Sequence, residues 1–220
     1  ANVEYFKHDF CFFTCGRTDH GHFPSVNESE EANVNAMIAL LEYERSLNPR
    51  LYQAITTGIW PSPWWLPYCD TIWMGGADHD FDRRLPATRG SVFEMNYRDG
   101  ALYTILEVNS NVFPLSAIMT HGIVDARHTV YDVRDEDDEG WANYVMNYLG
   151  RGTQMREFYI TPANLNERRW NVLARGIRWA RSLDPAMIRS RFILGDPRAG
   201  ELFGFQGAGD GMSYASLRNP

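Results

Sequence analysis

Hydrophobic positions in the first third of the chain follow two periods, one typical of strands and one typical of helices. Val3 to Phe13 predicts a short, aromatic-rich strand in which every second residue shares a face. Residues 30–47 carry apolar side chains at helical spacing, with Ser29 as the expected N-cap. The apolar segments 51–60 and 68–74 predict two more strands. Long polar or aromatic loops follow these strands.

The same alternation continues through the middle of the chain. An acidic run over 135–139 precedes a helix that ends at Gly150. Because carboxylates at a helix start are favoured by the helix dipole, we interpret this run as a solvated helix start and not as a metal site. The other predicted elements here are a helix over 100–108, strands over 112–120 and 155–160, and a helix over 162–183 that begins with Thr161 and Pro162.

Strands that alternate with helices predict an α/β fold with a parallel sheet. Chemically functional residues after the strands favour a (β/α)8 TIM barrel, whose active sites lie at the carboxyl ends of the strands. About five barrel strands are present where eight are required, so residues 1–186 are interpreted as strands 4 to 8 of a partial barrel. Residues 187–220 carry short strands and Gly-rich turns, which indicate the start of an antiparallel β domain.

A barrel with about five of its eight strands needs a partner that supplies the others. The chain opens on Ala1 without an initiator Met or a signal peptide, which indicates the interior or the processed part of a longer product. The expected partner that completes the barrel is the missing N-terminal half, or another chain.

Composition narrows the classes of ligand. An apolar content of 44% and an aromatic content of 14% are typical of a globular protein and suit a cleft that stacks sugar rings. The net charge of -7 argues against nucleic acid or an anionic membrane as the main partner, and no apolar run is long enough to span a bilayer. Cys11, Cys15 and Cys69 do not make a disulfide scaffold, although a turn between Cys11 and Cys15 would allow those two to bridge. The odd number of cysteines leaves the compartment open, with a secreted or periplasmic location favoured.

Two carboxylates follow separate strands and are therefore expected at the same end of a parallel sheet. Asp9 ends the first strand with Lys7 on the same face, and Asp78 follows the third strand after a double glycine. Retaining glycoside hydrolysis needs such a pair, a nucleophile and an acid/base about 5–5.5 Å apart. The ammonium of Lys7 would keep Asp9 ionised, and a nearby carboxylate such as Asp70 would raise the pKa of Asp78.

Three segments around these residues carry recognisable motifs: Lys7-His8-Asp9-Phe10-Cys11, Ile59-Trp60-Pro61, and Tyr68 to Asp78 with its Tyr-Cys start, Trp and Ala-Asp end. They resemble, in the same order, three segments of the clan D glycoside hydrolases, the α-galactosidase and α-N-acetylgalactosaminidase families. The resemblance implies that Asp9 is the nucleophile, Asp78 the acid/base and Lys7 a ligand of a substrate hydroxyl. Trp60 and Cys69 would line the sugar pocket.

The resemblance implies a retaining α-glycosidase that hydrolyses terminal α-galactosides or α-N-acetylgalactosaminides through a covalent glycosyl-aspartate, without a cofactor. The motifs that carry the resemblance lie between roughly Val3 and Asp80, and the rest of the chain resembles these families only in its general arrangement of elements. Met74 stands where these families often have an arginine that contacts the sugar, and the sugar-binding loops of the early barrel strands are absent. We therefore expect these 220 residues alone to be inactive.

Two site residues have competing interpretations. Asp70 competes with Asp78 as the acid/base, because it lies in the same motif. His121, which follows a predicted strand, is either a cleft residue that binds substrate or a hydrogen-bonded structural histidine.

Two alternatives concern the function as a whole. The loop Asp19-His20-Gly21-His22, with Cys15 and His8 nearby in the sequence, would suit a metal-dependent hydrolase, although we assign no metal ligand. The principal alternative is a non-catalytic carbohydrate-binding protein on the same barrel scaffold. The aromatic cluster from Trp60 to Trp65 would also suit a separate carbohydrate-binding module. Such a module predicts an all-β chain, which the helices predicted over 30–47 and 162–183 oppose.

Overall fold

The computed structural model describes residues 3–9, 15–17, 19–21, 25–56, 62–73, 80–110, 112–125 and 131–220. The chain divides into two compact units, Ala1–Trp73 and Met74–Pro220. The domain boundary expected between residues 186 and 187 stays a prediction. Within the described ranges, no helix combines the length and the apolar character needed to cross a lipid bilayer.

Three strands of the first unit form a parallel sheet. They are β1 (Tyr5–Asp9), β2 (Tyr52–Thr56) and β3 (Thr71–Trp73), with β2 in the centre. The three middle residues of β2 are fully buried, as expected for a strand covered on both faces. Parallel neighbours need a crossover connection, and helix α1 (Val26–Leu47) supplies it between β1 and β2. The parallel sheet predicted for this part of the chain is confirmed.

Helix α1 begins at Val26 and not at residue 30, because Ser25 and Glu28 form a capping pair. Ser25 Oγ accepts a hydrogen bond from the Glu28 amide (3.2 Å) and donates one to the Glu28 carboxylate (2.7 Å). The prediction of Ser29 as N-cap is wrong. Ser29 lies buried in the first turn, where its Oγ accepts a hydrogen bond of 3.0 Å from the backbone N–H of Cys15.

A polar network joins α1 to the sheet. Gln53 on β2 is fully buried, and its Oε1 accepts a hydrogen bond of 2.9 Å from Arg45. Its Nε2 donates to the carbonyl of Leu41 (3.1 Å) and to the carboxylate of Glu44 (3.0 Å). The same carboxylate lies 2.9 Å from Nε2 of His8 on β1. Because the buried amide is satisfied on both sides, this network fixes α1 against β1 and β2.

Helices and short strands alternate in the described part of the second unit. In chain order they are α2 (Gly90–Tyr103), which continues into a π-helical turn at Thr104–Val108, β4 (Ile118–Met119), β5 (Ile123–Asp125), α3 (Asp138–Gly150), β6 (Phe158–Ile160), α4 (Glu167–Ser182) and α5 (Asp184–Met187). Strands β5 and β6 are parallel, with Ile123 opposite Phe158. Helix α3 provides the crossover between them. Strand and helix therefore alternate here as predicted.

Three boundaries predicted for this region are wrong. The helix expected over 100–108 starts ten residues earlier, at Gly90, and its buried polar side chains hide the apolar periodicity. The strand expected over 112–120 is reduced to β4. The helix expected from Pro162 begins there only as a short 3₁₀ turn, Pro162–Asn164. The α-helix itself starts at Glu167, because Asn166 accepts a hydrogen bond of 2.9 Å from the Arg169 amide and acts as its N-cap.

The C-terminal part of the second unit is an antiparallel sheet. Its strands are β7 (Arg191–Leu194), β8 (Phe203–Gly209) and β9 (Met212–Arg218), in that order. Asp210 and Gly211 connect β8 to β9 with φ values of 51° and 76°, as a tight hairpin turn requires. The predicted change from parallel to antiparallel strands is confirmed. The architecture is compatible with a partial barrel followed by a β domain, and the barrel itself stays a prediction.

The core of the second unit encloses an ionisable group between α2 and α3. Trp141, Tyr144 and Tyr148 on α3 are at most 1% exposed. The Tyr144 hydroxyl donates a hydrogen bond to the carboxylate of Glu94 on α2, which is itself buried. Burial raises the pKa of Glu94 to about 7, and the hydrogen bond from Tyr144 and the charge of Arg98 oppose this rise only in part.

Replacing Glu94 by glutamine is expected to stabilise the protein at pH 8 and to leave its stability nearly unchanged at pH 4. The folded state keeps a proton on Glu94 up to about pH 7, whereas the unfolded chain loses it near pH 4.5. The free energy of unfolding therefore falls as the pH rises between these values, and the raised pKa corresponds to about 3 kcal/mol above pH 7. Urea unfolding at both pH values measures the difference.

Glu107→Gln, on the exposed π-helical turn, is the matched control for this experiment and should change stability little at either pH. An equal gain at pH 4 and pH 8 for Glu94→Gln would contradict the raised pKa.

Candidate active site

Asp9 lies at the carboxyl end of β1 and is oriented by the neighbouring strand. The register places Asp9 opposite Thr56, the last residue of β2. Thr56 Oγ1 donates a hydrogen bond of 2.6 Å to Oδ1 of Asp9 and also lies 3.2 Å from the carbonyl oxygen of His8. Short hydrogen bonds to an ionised carboxylate are among the stronger ones in proteins. The Asp9 side chain is thus exposed to solvent, and its orientation is fixed by the hydrogen bond from Thr56 of β2.

Sequence reasoning missed Thr56. The predicted strand ran on to Trp60, which placed Thr56 inside the strand and not at its end. A polar residue near the end of β2 is a usable signal only once the parallel register with β1 is known. Thr56 therefore belongs to the surroundings of Asp9 through its hydroxyl, and only the strand register shows this.

Lys7 shares the Asp9 side of β1. Side chains alternate along a strand, so Lys7 and Asp9 point one way and His8 the other. His8 is 9% exposed and faces α1, where it contacts Glu44. Lys7 is half-buried. An ammonium and a carboxylate therefore occupy the same side of one strand end, and their catalytic roles stay predictions.

Asp70 lies at the opposite end of the sheet. It directly precedes β3, and its Oδ2 accepts hydrogen bonds from the backbone N–H of Gln53 (2.8 Å) and from Arg45 (3.1 Å). Gln53 is three residues before Thr56 along β2, and at about 3.3 Å per residue the two residues lie roughly 10 Å apart along the strand. Since a retaining pair needs about 5–5.5 Å, this placement argues against Asp70 as the partner of Asp9, and the role of Asp78 stays a prediction.

Cys69 lies beside Asp70 and is buried, at 2% exposure. Its thiol donates a hydrogen bond to the carbonyl oxygen of Trp65 at 3.4 Å. Burial, and secondarily the charge of Asp70, raise the pKa of this thiol to about 12. Cys69 is therefore a neutral packing residue in this structure, and its contact with a sugar stays a prediction.

Two predicted site residues lie outside the described residues. Trp60 belongs to the segment 57–61 and Asp78 to the segment 74–79. The pairing of Asp9 with Asp78 and the contribution of Trp60 to a sugar pocket therefore stay predictions.

His121 belongs to the second unit, between β4 and β5. It is 7% exposed, and its Nδ1 lies 2.8 Å from Oε2 of Glu157. The hydroxyl of Tyr159 donates to the other oxygen of that carboxylate at 2.8 Å, and the Tyr159 ring meets the His121 ring edge-on at 5.0 Å. Such contacts are typical of a hydrogen-bonded structural histidine. Contact of His121 with a substrate stays a prediction.

A second carboxylate ends a strand of this unit. Asp125, the last residue of β5, is 4% exposed and accepts hydrogen bonds from the Val133 amide (3.1 Å) and from Asn164 Nδ2 (3.0 Å). Its contacts hold the segments after β5 and β6 together. Asp125 is thus a structural acceptor at the carboxyl end of its strand.

The candidate metal loop is described in part. Asp19 and His20 are in contact with each other, and His20 also contacts Cys15, whereas His22 lies outside the described residues. Among the residues that the structure describes, no group of three or more histidine, cysteine, aspartate or glutamate side chains is arranged to hold a metal ion.

Comparisons with known proteins bear on the fold. No family model matches the sequence. No curated protein matches it in sequence either. A solved structure does match in three dimensions: the galactosidase domain of the alpha-galactosidase-sucrose kinase AgaSK superposes on 98% of this chain with a TM-score of 0.59. The chain has an α-galactosidase-like fold.

The α-galactosidase-like fold is shared at 15% sequence identity, so the comparison concerns the fold alone. The chain spans 26% of the length of the AgaSK chain that it matches. Because a shared fold does not fix a function, activity, substrate and mechanism need separate arguments.

Proposed function

We propose that this chain is part of a retaining α-glycosidase that acts on terminal α-galactosides or α-N-acetylgalactosaminides. The observation that carries the proposal is the position of Asp9, at the carboxyl end of a parallel strand in a chain with an α-galactosidase-like fold. Sites of parallel α/β proteins lie at that end of the sheet. The hydrogen bond from Thr56 and the nearby Lys7 give Asp9 the setting of an ionised nucleophile.

In the proposed reaction Asp9 attacks the anomeric carbon while Asp78 protonates the glycosidic oxygen, and the aglycone leaves. The resulting glycosyl-aspartate is hydrolysed by water, from which Asp78 removes a proton. Because Thr56 holds Oδ1 of Asp9, Oδ2 is the attacking oxygen in this mechanism. Lys7 contributes a donor for a sugar hydroxyl on the same side of β1.

The proposal is tested with the full-length protein that contains this chain. We expect hydrolysis of nitrophenyl α-galactoside or nitrophenyl α-N-acetylgalactosaminide, with the α-anomer of the sugar as the first product in proton NMR spectra. A chelator should leave the rate unchanged. A β-anomer as first product would contradict the retaining mechanism. Sugar binding without turnover would favour the carbohydrate-binding alternative, and loss of rate on chelation would favour a metal-dependent hydrolase.

A further inference from the structure

The loop that follows β1 brings a thiol, an imidazole and a carboxylate into a chain of contacts. Sγ of Cys15 lies 3.4 Å from Nε2 of His20. Nδ1 of the same ring lies 3.3 Å from Oδ1 of Asp19. A nucleophile within hydrogen-bond reach of a base, with the base oriented by a third group, is the arrangement that activates nucleophiles. Neither the strand end at Asp9 nor the proposed hydrolysis uses these residues.

The contact with Asp19 favours one tautomer of His20. An ionised carboxylate only accepts hydrogen bonds, so Nδ1 must donate to Asp19. In the neutral ring Nε2 is then the acceptor, and the Cys15 thiol donates to it. His20 is therefore placed to take the proton of Cys15, and the resulting imidazolium keeps a donor toward both neighbours.

Two further contacts hold this arrangement in place. Arg17 binds Asp19 through two hydrogen bonds, Nε to Oδ1 at 2.9 Å and Nη2 to Oδ2 at 2.5 Å. The hydrogen bonds from Arg17 and, secondarily, from His20 lower the pKa of Asp19, which stays ionised at neutral pH. On the other side, the backbone N–H of Cys15 is anchored to Ser29 of α1. The side chains of His20 and Asp19 are 46% and 60% exposed, so a solute can reach the loop.

We propose that Cys15 is a reactive thiol, activated by His20, that forms mixed disulfides with small disulfides such as glutathione disulfide. In this reaction the Cys15 thiolate attacks one sulfur of the disulfide, a new Cys15–sulfur bond forms, and the old sulfur–sulfur bond breaks. Cys15 is oxidised and the departing half is reduced to a thiolate, which takes the proton from the His20 imidazolium. The site is thus a place for reversible S-thiolation.

Cys69 provides an internal comparison in the same chain. It is a cysteine of the same unit as Cys15, but it is 2% exposed and its thiol donates to a backbone carbonyl, not to a base. Reactivity of a thiol follows its thiolate fraction and its access to the reagent. We therefore expect Cys69 to be inert under conditions in which Cys15 reacts.

The test measures glutathionylation of the full-length protein in a Cys11→Ser background at pH 7. Glutathione disulfide is added, the reaction is stopped with acid, and peptide mass mapping gives the rate at each cysteine, in native protein and in urea. We expect Cys15 to react at least about tenfold faster in the native protein than in urea, and Cys69 to react far more slowly.

Variants of the two supporting residues separate activation from mere exposure. His20→Gln is expected to lower the native rate at Cys15 to that of the unfolded chain, and Asp19→Asn to lower it less. Continued protection of Cys69 in each variant reports that the fold is intact. A rate at Cys15 that His20→Gln leaves unchanged, or that is no faster in native protein than in urea, overturns the proposal. Since the readout is a thiol adduct, the result does not depend on glycosidase activity.

Discussion

Asp9→Asn is expected to lower kcat/KM for a nitrophenyl α-galactoside by at least about 1000-fold in the full-length protein, because the amide cannot form the glycosyl-enzyme bond. Asparagine keeps the size of the side chain and can still accept the hydrogen bond from Thr56, so the fold should be unaffected. Steady-state kinetics and the thermal unfolding midpoint of the variant measure the two effects. Asp210→Asn, in the hairpin turn between β8 and β9, is the matched control and should retain full activity.

A chemical rescue distinguishes a nucleophile from a residue that only positions others. In Asp9→Ala the space left by the carboxylate admits a small anion such as azide, which can attack the anomeric carbon itself. We expect azide to restore part of the turnover and to yield a glycosyl azide of inverted anomeric configuration. Full activity of Asp9→Asn, or rescue that gives retained configuration, would assign the nucleophile to another residue.

The second large effect is expected at Asp99, in the core of the second unit. Asp99 on α2 is fully buried, and its Oδ1 accepts a hydrogen bond of 2.8 Å from Arg151, also fully buried. Its Oδ2 accepts from Arg218 on β9 and from Asn147 on α3, each at 3.1 Å. Asp99 thus joins two helices and the antiparallel sheet through one carboxylate.

Asp99→Ala is expected to lower the free energy of unfolding by about 3–5 kcal/mol, because it leaves buried guanidinium groups without their counter-charge. Urea unfolding at pH 7, followed by tryptophan fluorescence, measures the loss. As control, Arg134→Ala removes an ion pair with Asp132 in which the arginine is 64% exposed, and it should cost less than about 1 kcal/mol. A similar small loss for both variants would show that Asp99 is not the centre of this part of the core.

The candidate site was predictable where it depends on neighbours in sequence. Strand alternation alone places Lys7 and Asp9 on one side of β1, and the structure keeps them there. The position of Asp70 was not predictable in the same way. It lies in the same motif as Asp78, but β3 begins after it, so it lies at the amino end of the sheet and is held by Arg45 and the backbone of Gln53.

Periodicity failed where polar residues are buried. Helix α2 begins ten residues before the predicted segment, because Glu94, Asn96, Arg98 and Asp99 occupy its buried face and break the apolar pattern. Their partners come from α3 and from β9, and no local rule anticipates such pairs. The Ser25 and Glu28 cap of α1, by contrast, has a spacing that is visible in the sequence.

The sequence by itself determined the alternation of strands and helices, the change to antiparallel strands at the C-terminal end, and the face shared by Lys7 and Asp9, because these depend on residues within a few positions of one another. Only the tertiary structure decided that Thr56 orients Asp9, that Asp70 lies at the far end of the sheet, and that Asp99 meets Arg151 and Arg218. Asp9 and Thr56 are 47 residues apart, and Asp99 and Arg218 are 119 apart. Contacts at such separations are set by strand register and helix packing, which no local pattern encodes.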